Sequence, residues 1–324
     1  MLGRGARARG ARMPALRLGA VRGMSRPRSD VSSRSMRLSI FALILVACEP
    51  SAPPASPAPP TPEPPRVEET VRARDSTLTL SVRRVEAEGW SGRVVVASFS
   101  LGAGRHVTVV PSEGPRPLDA ILAERSPPRP FAAIDGGFYD SHGAPMGLVR
   151  TGGEDRAPLT ERGGSGVFFV DGDRARVVHR DDFQPSPSIR EALQSVDRIV
   201  DAGASVVSAA ASNRRAARSA VAIDEDGAVH LAVAFDERAV LSEGAARIEL
   251  GPDSTRTGPT LGEWATLLTR PASEGGVSAR EALGLDGGYS TSLVVKSDTR
   301  ALSVVAYRAT INGLLVTARP APEE

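Results

Sequence analysis

The chain has 324 residues, of which 41% are hydrophobic and 24% are charged, and this composition excludes a wholly disordered protein. Aromatic residues make up only 4%, too few to favour a stacking surface for single-stranded nucleic acid. The net charge of the chain is +2. Residues 1–47 contribute +9 through ten Arg and one Asp, so the remaining residues carry a net charge of −7. We therefore expect no nucleic-acid-binding face on the folded region.

Residues 1–47 are predicted to be a leader segment. Met36 and Arg37 precede an apolar run over residues 38–47 that is too short to cross a bilayer as a helix. The run ends Leu-Val-Ala-Cys at Cys48, the single Cys of the chain, and this ending resembles the lipobox of bacterial lipoproteins. We expect Cys48 to carry a lipid anchor, and a core helix with a buried Cys is the alternative. The true start stays open between Met1, Met24 and Met36.

A tether is predicted over residues 48–77, because nine Pro within residues 49–65 favour extended polyproline geometry. A folded domain is expected over 78–318, followed by a short tail over 319–324. Glu49 follows the Cys, instead of the Asp that often retains lipoproteins at the inner membrane. We therefore expect anchoring in the bacterial cell envelope, at the outer membrane. The single Cys excludes an internal disulfide.

Short runs rich in Val, Ile, Leu and Ala between turn residues predict many strands. These are Leu78–Val82, Val94–Ser98, His106–Val110, Ala132–Asp135, Gly166–Val170, Ala220–Ile223, Val229–Val233, Gly284–Asp286, Leu293–Val295, Val304–Tyr307 and Gly313–Val316. The predicted helices are Pro117–Arg125, Ser188–Gln194, Thr260–Thr269 and Ser278–Leu283. The last two begin with a capping residue that has Glu three positions later. Together these elements predict an α+β domain with a mixed, many-stranded sheet and few helices.

Two segments half the chain apart share one pattern. Residues 133–140 read Ala-Ile-Asp-Gly-Gly-Phe-Tyr-Asp, and residues 284–291 read Gly-Leu-Asp-Gly-Gly-Tyr-Ser-Thr. We call them the first and second turn. Their glycines, Gly136, Gly137, Gly287 and Gly288, are expected to take positive φ and to offer N–H groups to an oxyanion. Ordinary Asp-Gly turns are the alternative.

Four blocks together resemble the phosphodiester glycosidase domain family, in order and spacing, over roughly residues 80–318. The first turn is followed by Gly-Ala-Pro-Met-Gly-Leu at 143–148, and the middle block is Arg-Ser-Ala-Val-Ala-Ile-Asp at 218–224. The second turn follows Glu-Ala-Leu at 281–283, and the last block is Ile-Asn-Gly-Leu-Leu-Val at 311–316. Two positions differ, since Asp135 replaces an Asn of the family and Tyr289 replaces a Gly.

The resemblance implies cleavage of a bond between a sugar and a phosphate, which needs phosphate-binding groups and a carboxylate near the anomeric carbon. We expect Asp286 to be the essential carboxylate and Asp135 its partner, with the assignment of acid and of base or nucleophile left open. Arg218 is implied as the phosphate ligand. The other expected binding residues are Arg198, Gly136, Gly137, Gly287, Gly288, Ser290, Thr291 and Tyr139, and His142 is a candidate proton shuttle.

The predicted function is that of an exported lipoprotein hydrolase acting on a sugar-phosphate diester, or a related glycosidic bond, in an envelope or extracellular glycan. The alternative is a glycan- or phosphate-binding lipoprotein of the same fold without activity, which Asp135 and Tyr289 keep open. We expect no cofactor and no metal, since the His residues lack ligand spacing and a phosphate-binding P-loop is absent. The expected partners are the glycan substrate and the membrane.

Overall fold

The computed structural model describes residues 65–74, 77–87, 89–207, 213–237, 240–241, 247–297 and 300–319. The predicted leader, Cys48, most of the predicted tether and nearly all of the tail lie outside these residues. Within them, no helix has the length and apolar character needed to cross a membrane.

Strands dominate the described part of the chain. In chain order they are β1 (Arg66–Arg74), β2 (Leu78–Ala87), β3 (Trp90–Phe99), β4 (Arg105–Arg116), β5 (Phe131–Asp135), β6 (Val149–Thr151), β7 (Glu154–Ala157), β8 (Gly166–Asp171), β9 (Arg174–His179), β10 (Ile189–Ser195), β11 (Arg198–Asp201), β12 (Ala204–Ser205), β13 (Arg218–Asp224), β14 (Val229–Asp236), β15 (Val240–Leu241), β16 (Arg247–Glu249), β17 (Ala279–Gly284), β18 (Leu293–Lys296), β19 (Ala301–Val305) and β20 (Thr310–Ala318). The α-helices of the described residues are α1 (Leu118–Arg125) and α2 (Leu261–Thr269).

The strands form three sheets. The eight-stranded sheet has the order β1-β2-β3-β14-β13-β17-β11-β12, and the seven-stranded sheet has the order β15-β16-β19-β18-β5-β20-β4. A five-stranded sheet has the order β7-β6-β10-β8-β9. The coarse prediction of a many-stranded domain is confirmed, and the balance is more strongly towards strands than the α+β assignment suggests.

The largest core lies between the eight- and seven-stranded sheets, and strand alternation explains which residues reach it. On β13, Val221 and Ile223 face this core, while Ala220 and Ala222 face the opposite side, where α2 packs with the fully buried Trp264. Successive side chains of a strand point to opposite faces. The small alanines on the outer face leave room for the helix, whose predicted capping box at Thr260 is present.

Two predicted helices are strands. The segment predicted as the helix Ser188–Gln194 is β10, which pairs with both β6 and β8. The segment predicted as the helix Ser278–Leu283 is β17, a central strand between β13 and β11. Both are buried along most of their length, and both contain Arg-Glu-Ala-Leu, which lacks the strict alternation of apolar and polar residues that marks a half-buried strand.

The capping signal at the second of these segments has another explanation. The carboxylate of Glu281 accepts the Val177 N–H at 2.6 Å and pairs with Arg176, so it joins β17 to β9 instead of capping a helix. Ser278 itself has a φ of 52°, which a helix start does not use. Tertiary pairing therefore overrides the local propensity.

Three predicted boundaries also differ from the structure. The domain does not begin at residue 78, because β1 at Arg66–Arg74 pairs with β2 along its length, so that part of the predicted tether belongs to the sheet. The predicted strand Gly284–Asp286 contributes only Gly284 to β17, and the rest is turn. The predicted strand Val304–Tyr307 overlaps only the end of β19.

Candidate active site

The two turns meet at the ends of the two large sheets. The first follows β5 of the seven-stranded sheet, and the second follows β17 of the eight-stranded sheet. The Asp286 N–H donates to the Gly136 carbonyl at 2.8 Å, and the Leu285 N–H donates to the Ser219 carbonyl at 3.0 Å. Main-chain hydrogen bonds thus bring residues half the chain apart into one site, as the repeated pattern predicts.

The glycines of the two turns are required mainly because neighbouring chain segments pack closely against them, and less because of their backbone conformation. Of the four, only Gly288 has a positive φ, of 66°. A Cβ on Gly136 would lie 2.0 Å from the Asn312 Oδ1, and one on Gly287 would lie 2.9 Å from the Ala217 carbonyl. The expectation of positive φ at Gly136 and Gly287 was therefore wrong, and glycine is needed there because neighbouring chains approach closely.

At three of the four glycines the N–H group is not free for the predicted oxyanion. The N–H groups of Gly137, Gly287 and Gly288 each donate to an oxygen of the protein at 2.7 Å. A Cβ on Gly137 would lie 2.6 Å from the Gln194 carbonyl. These donors are therefore committed to holding the turns together, and anion binding at the site falls to side chains.

A cavity of about 510 Å³ opens beside the second turn, a size typical of small-ligand sites. Its walls come from the two turns, from the start of β13 and the segment before it, from the connection between β10 and β11, from the first residue of α2 and from the segment that precedes β20. The lining residues are Phe138, Tyr139, Asp140, Ser141, Val196, Arg214, Ala216, Arg218, Ser219, Leu261, Gly284, Leu285, Asp286, Gly287, Gly288, Tyr289, Ser290 and Arg308. The predicted site residues Asp286, Arg218, Ser290, Tyr139, Gly287 and Gly288 are among them.

Asp286 is the buried carboxylate of the cavity. Its residue is 8% exposed, and burial raises the pKa of its carboxyl from 3.8 to about 7, with the nearby Ser290 hydroxyl acting in the opposite direction. Burial disfavours the charged form of an acid, because water no longer solvates it. A carboxyl that is half ionised near neutral pH can take up or release a proton during a reaction.

Asp135 lies behind the cavity wall, where it is fully buried and does not line the cavity. Its Oδ1 accepts the Ser219 hydroxyl at 2.7 Å and the Ser292 N–H at 2.9 Å. Burial first, and the charge of Asp286 further, hold the pKa of Asp135 well above its usual range. The expected direct role of Asp135 in the cleft is therefore wrong, and its contact with the site runs through Ser219.

Three arginines are among the lining residues, Arg214, Arg218 and Arg308. Arg218 is held by carbonyl oxygens, since its Nε donates to Pro259 at 3.2 Å and its Nη2 to Arg214 at 2.6 Å. Burial lowers the pKa of Arg218 to about 10, which still leaves it charged at neutral pH. The cavity lining therefore carries positive charge from arginine, which suits an anionic ligand.

Other predicted site residues lie elsewhere. Thr291 is fully buried, and its hydroxyl has no partner among the described residues. Arg198 pairs with Asp201 at 3.1 Å on β11. His142 is exposed, and its backbone N–H donates to the Asp140 carboxylate in the loop after the first turn. None of the three is among the residues that line the cavity, so the structure does not bring them together with Asp286 and Arg218 there.

Sequence reasoning missed Ser219 and Arg308. Ser219 follows Arg218 on β13, so strand alternation points it towards the inter-sheet core and Asp135. That contact depends on the pairing of distant strands, and no local pattern indicates it. Arg308 stands in the short connection before β20, and its guanidinium lies 4.6 Å from the centre of the Tyr289 ring.

Metal binding has no evident basis in the part of the chain that the structure describes. No group of three or more His, Cys, Asp or Glu side chains is clustered there so as to hold an ion. The residues available for chemistry at the cavity thus carry the buried carboxyl of Asp286, the exposed carboxyl of Asp140, hydroxyls, phenols and guanidinium groups. The carboxylate of Asp140 already accepts the backbone N–H groups of His142 and Ala144.

These features define a pocket for an anionic ligand with one proton-transferring carboxyl. A family model, NAGPA, described as phosphodiester glycosidase, matches residues 129–317, and the chain belongs to that family. The match includes both turns, Arg218 and the segment around Asn312, so the resemblance drawn from the four sequence blocks is confirmed.

Solved structures share the fold. The zebrafish N-acetylglucosamine-1-phosphodiester alpha-N-acetylglucosaminidase catalytic domain, auto-inhibited by its pro-peptide, superposes with a TM-score of 0.50 at 13% identity, covering 80% of this chain and 89% of that one. A hypothetical protein from Synechocystis gives a TM-score of 0.51 at 17% identity, covering 74% of this chain and 62% of that one.

A shorter sequence match comes from Escherichia coli. The uncharacterized protein YigE of strain K12 is 34% identical over 95 residues, which cover 26% of this chain and 37% of that protein. The match therefore spans little more than a third of its relative.

The raised pKa of Asp286 predicts a pH-dependent stability. Folding raises this pKa from 3.8 to about 7, so the folded state holds the proton more tightly. The resulting stabilisation is complete below about pH 4 and is lost as the pH rises to about 7. We expect Asp286→Asn, which cannot ionise, to gain stability relative to the parent across this window. Urea unfolding of both proteins at several pH values measures the difference, and a difference independent of pH would contradict the assignment.

The buried contacts of Asp135 predict that Asn, the residue of the family, is tolerated there and Ala is not. An Asn Oδ1 can accept the same two hydrogen bonds, whereas Asp135→Ala leaves the Ser219 hydroxyl and the Ser292 N–H without their acceptor. Since each of these two buried unpaired groups costs about 1–3 kcal/mol, we expect Asp135→Ala to lower the free energy of unfolding by about 2–6 kcal/mol. Denaturant titration measures both variants, and equal losses for Asn and Ala would refute this account.

Proposed function

We propose that this protein is a hydrolase that cleaves the bond between a sugar and the phosphate of a phosphodiester. Family membership supports the reaction class. The observation that carries the proposal is the position of Asp286, a buried carboxyl with a pKa of about 7 in a cavity that is also lined by three arginines. Such a cavity pairs a proton acceptor with a site for the charge of the phosphate.

Asp286 acts as the general base in this proposal. Its carboxylate takes a proton from a water molecule whose oxygen attacks the anomeric carbon. The bond from that carbon to the phosphate oxygen breaks, and its electron pair leaves with the phosphate. A phosphate monoester is a good leaving group, so one proton-transferring carboxyl in the cavity suffices. The second carboxyl of a classical glycosidase pair has no counterpart in Asp135, which is sealed behind Ser219.

Arg218 binds the phosphate in the proposed complex. The carbonyls of Pro259 and Arg214 hold its guanidinium in place, so little side-chain entropy is lost when an anion binds. The neighbouring Arg215 is not assigned to phosphate binding, because its guanidinium pairs with both carboxylate oxygens of Glu263 at 3.0 Å. Tyr139 and Ser290 lie beside Asp286 and offer contacts to the sugar.

Activity on a panel of sugar 1-phosphodiesters tests the proposal, with release of the free sugar as the measurement. We expect Asp286→Asn to lower kcat by roughly 10²–10⁴-fold, the usual contribution of a general base. Arg218→Ala should raise KM by about tenfold or more, since it removes a charge-assisted hydrogen bond. The parent's kcat/KM should rise with pH and level off above about pH 7, where Asp286 is ionised.

Asp226→Asn is the matched control, because Asp226 is exposed in the turn after β13, at the other end of that strand from Arg218. It should behave as the parent does. Full activity in Asp286→Asn would remove the assigned base, and a kcat/KM that falls with rising pH would make Asp286 an acid. Sugar-phosphate binding without turnover in the parent would favour the alternative, a binding protein of the same fold.

We further propose that the enzyme acts in a bacterial envelope, held there by a lipid on Cys48. The apolar run before Cys48 and the Pro-rich segment after it support this. Cys48→Ala, expressed with its own leader in a bacterial host, should move the protein from the membrane fraction to the soluble fraction. A Cys48→Ala variant that stays in the membrane fraction, or a parent that is soluble, would contradict the anchor.

A further inference from the structure

Arg308 differs from Arg218, the cavity arginine whose hydrogen bonds are described above. It is exposed, and within the described residues its guanidinium has neither a carboxylate nor a carbonyl partner. Arg218, in contrast, already donates to two carbonyl oxygens. The donors of Arg308 therefore remain available to an incoming ligand, and they lie in the wall of the same cavity as Asp286.

The ring of Tyr289 holds Arg308 in that wall. The guanidinium carbon of Arg308 lies 4.6 Å from the ring centre, which is a cation–π distance. The backbone N–H of Arg308 also donates to the Tyr289 carbonyl at 2.8 Å. Tyr289 therefore positions both the backbone and the side chain of Arg308.

A second arginine fixes the ring itself. The Nε of Arg256 donates to the Tyr289 hydroxyl at 2.5 Å, and its guanidinium carbon lies 5.6 Å from the ring centre. The Tyr307 ring lies 5.7 Å from that of Tyr289. Tyr289 is therefore held on several sides. Its ring can serve as a rigid support for Arg308, which lines the cavity, whereas Arg256 does not.

We propose that Arg308 is a phosphate-binding residue of this site and that Tyr289, where the family pattern has a Gly, is the positioning residue that orients it. The proposal rests on the proposed function and adds a specificity-determining pair to it. An arginine side chain loses considerable rotamer freedom when it binds a ligand. Stacking on Tyr289 removes part of that freedom beforehand and leaves the guanidinium edge for the phosphate oxygens.

The proposed pair of Arg308 and Tyr289 predicts that the protein prefers negatively charged substrates to neutral ones. A guanidinium without a protein counter-ion gains most from a ligand that supplies the negative charge, and it gains little from a neutral glycoside. Arg308 should therefore affect the binding of phosphodiesters and leave neutral substrates nearly unchanged.

The first experiment compares Arg308→Ala and Arg308→Lys with the parent in two assays, calorimetric binding of inorganic phosphate and steady-state kinetics on a sugar 1-phosphodiester and a neutral 4-nitrophenyl glycoside. We expect Arg308→Ala to weaken phosphate binding about 10–100-fold, the value of a charge-assisted hydrogen bond. KM for the diester should rise with little change in kcat, and Arg308→Lys should recover only part of the loss. Arg84→Ala, at an exposed arginine paired with Glu237, is the control.

The second experiment tests whether the Tyr289 ring positions Arg308. Tyr289→Gly should weaken phosphate binding about 3–10-fold, the value of a cation–π contact, and Tyr289→Phe should restore most of the affinity because it keeps the ring. In the Arg308→Ala background, Tyr289→Gly should have no further effect, since its contribution acts through the guanidinium. Independent losses in the double variant would refute the positioning role.

The two assays separate this inference from the proposed function. If the parent binds phosphate through Arg308 but cleaves no diester, the hydrolase proposal fails and the binding residue stands. If the parent cleaves diesters and Arg308→Ala binds phosphate and diester as well as the parent does, the function stands and the inference fails.

Discussion

The hydrogen bond from the Asp286 N–H to the Gly136 carbonyl is the contact on which the site depends. It joins a turn from the eight-stranded sheet to a turn from the seven-stranded sheet, at the point where the inter-sheet core ends. The approach is so close that a Cβ on Gly136 would collide with Asn312. The twin Asp-Gly-Gly patterns are thus explained by close packing, and Asp286 lines the cavity beside the joined turns.

Once the turns are joined, burial decides the chemistry of the two aspartates. Both carboxyls are shielded from water and have a raised pKa, but only Asp286 reaches the cavity. Asp135 instead accepts the hydroxyl of Ser219, which lines the cavity from β13. The proton of that hydroxyl is committed to Asp135. One aspartate therefore serves the cavity directly, and the other orders its wall.

Much of the fold and part of the site could be predicted from the sequence. Strands with clear apolar runs and turn boundaries, such as β5 and β20, were predicted correctly, because their signals are local. β10 and β17 were mistaken for helices, because strands buried on both faces lose the alternation that marks a strand. Asp286 and Arg218 could be found because they stand in sequence motifs.

The remaining site residues follow from the tertiary structure alone. Arg308 reaches the cavity because its backbone N–H pairs with the Tyr289 carbonyl, and no pattern around residue 308 indicates that bond. Thr291 and Arg198 looked suitable by residue type, yet burial and an ion pair with Asp201 take them out of the cavity. Motifs therefore identified the centre of the site, and strand pairing determined its walls.

The most direct test of this account is the ionisation of Asp286 in the folded protein. Carbon-13 NMR of the aspartate carboxyls, with Asp286→Asn used to assign the resonance, follows that ionisation as the pH is changed. The account predicts a midpoint at about pH 7. A midpoint near 4, the value of an aspartate in water, would show that the carboxyl is solvated and that the joined turns do not form the buried site described above.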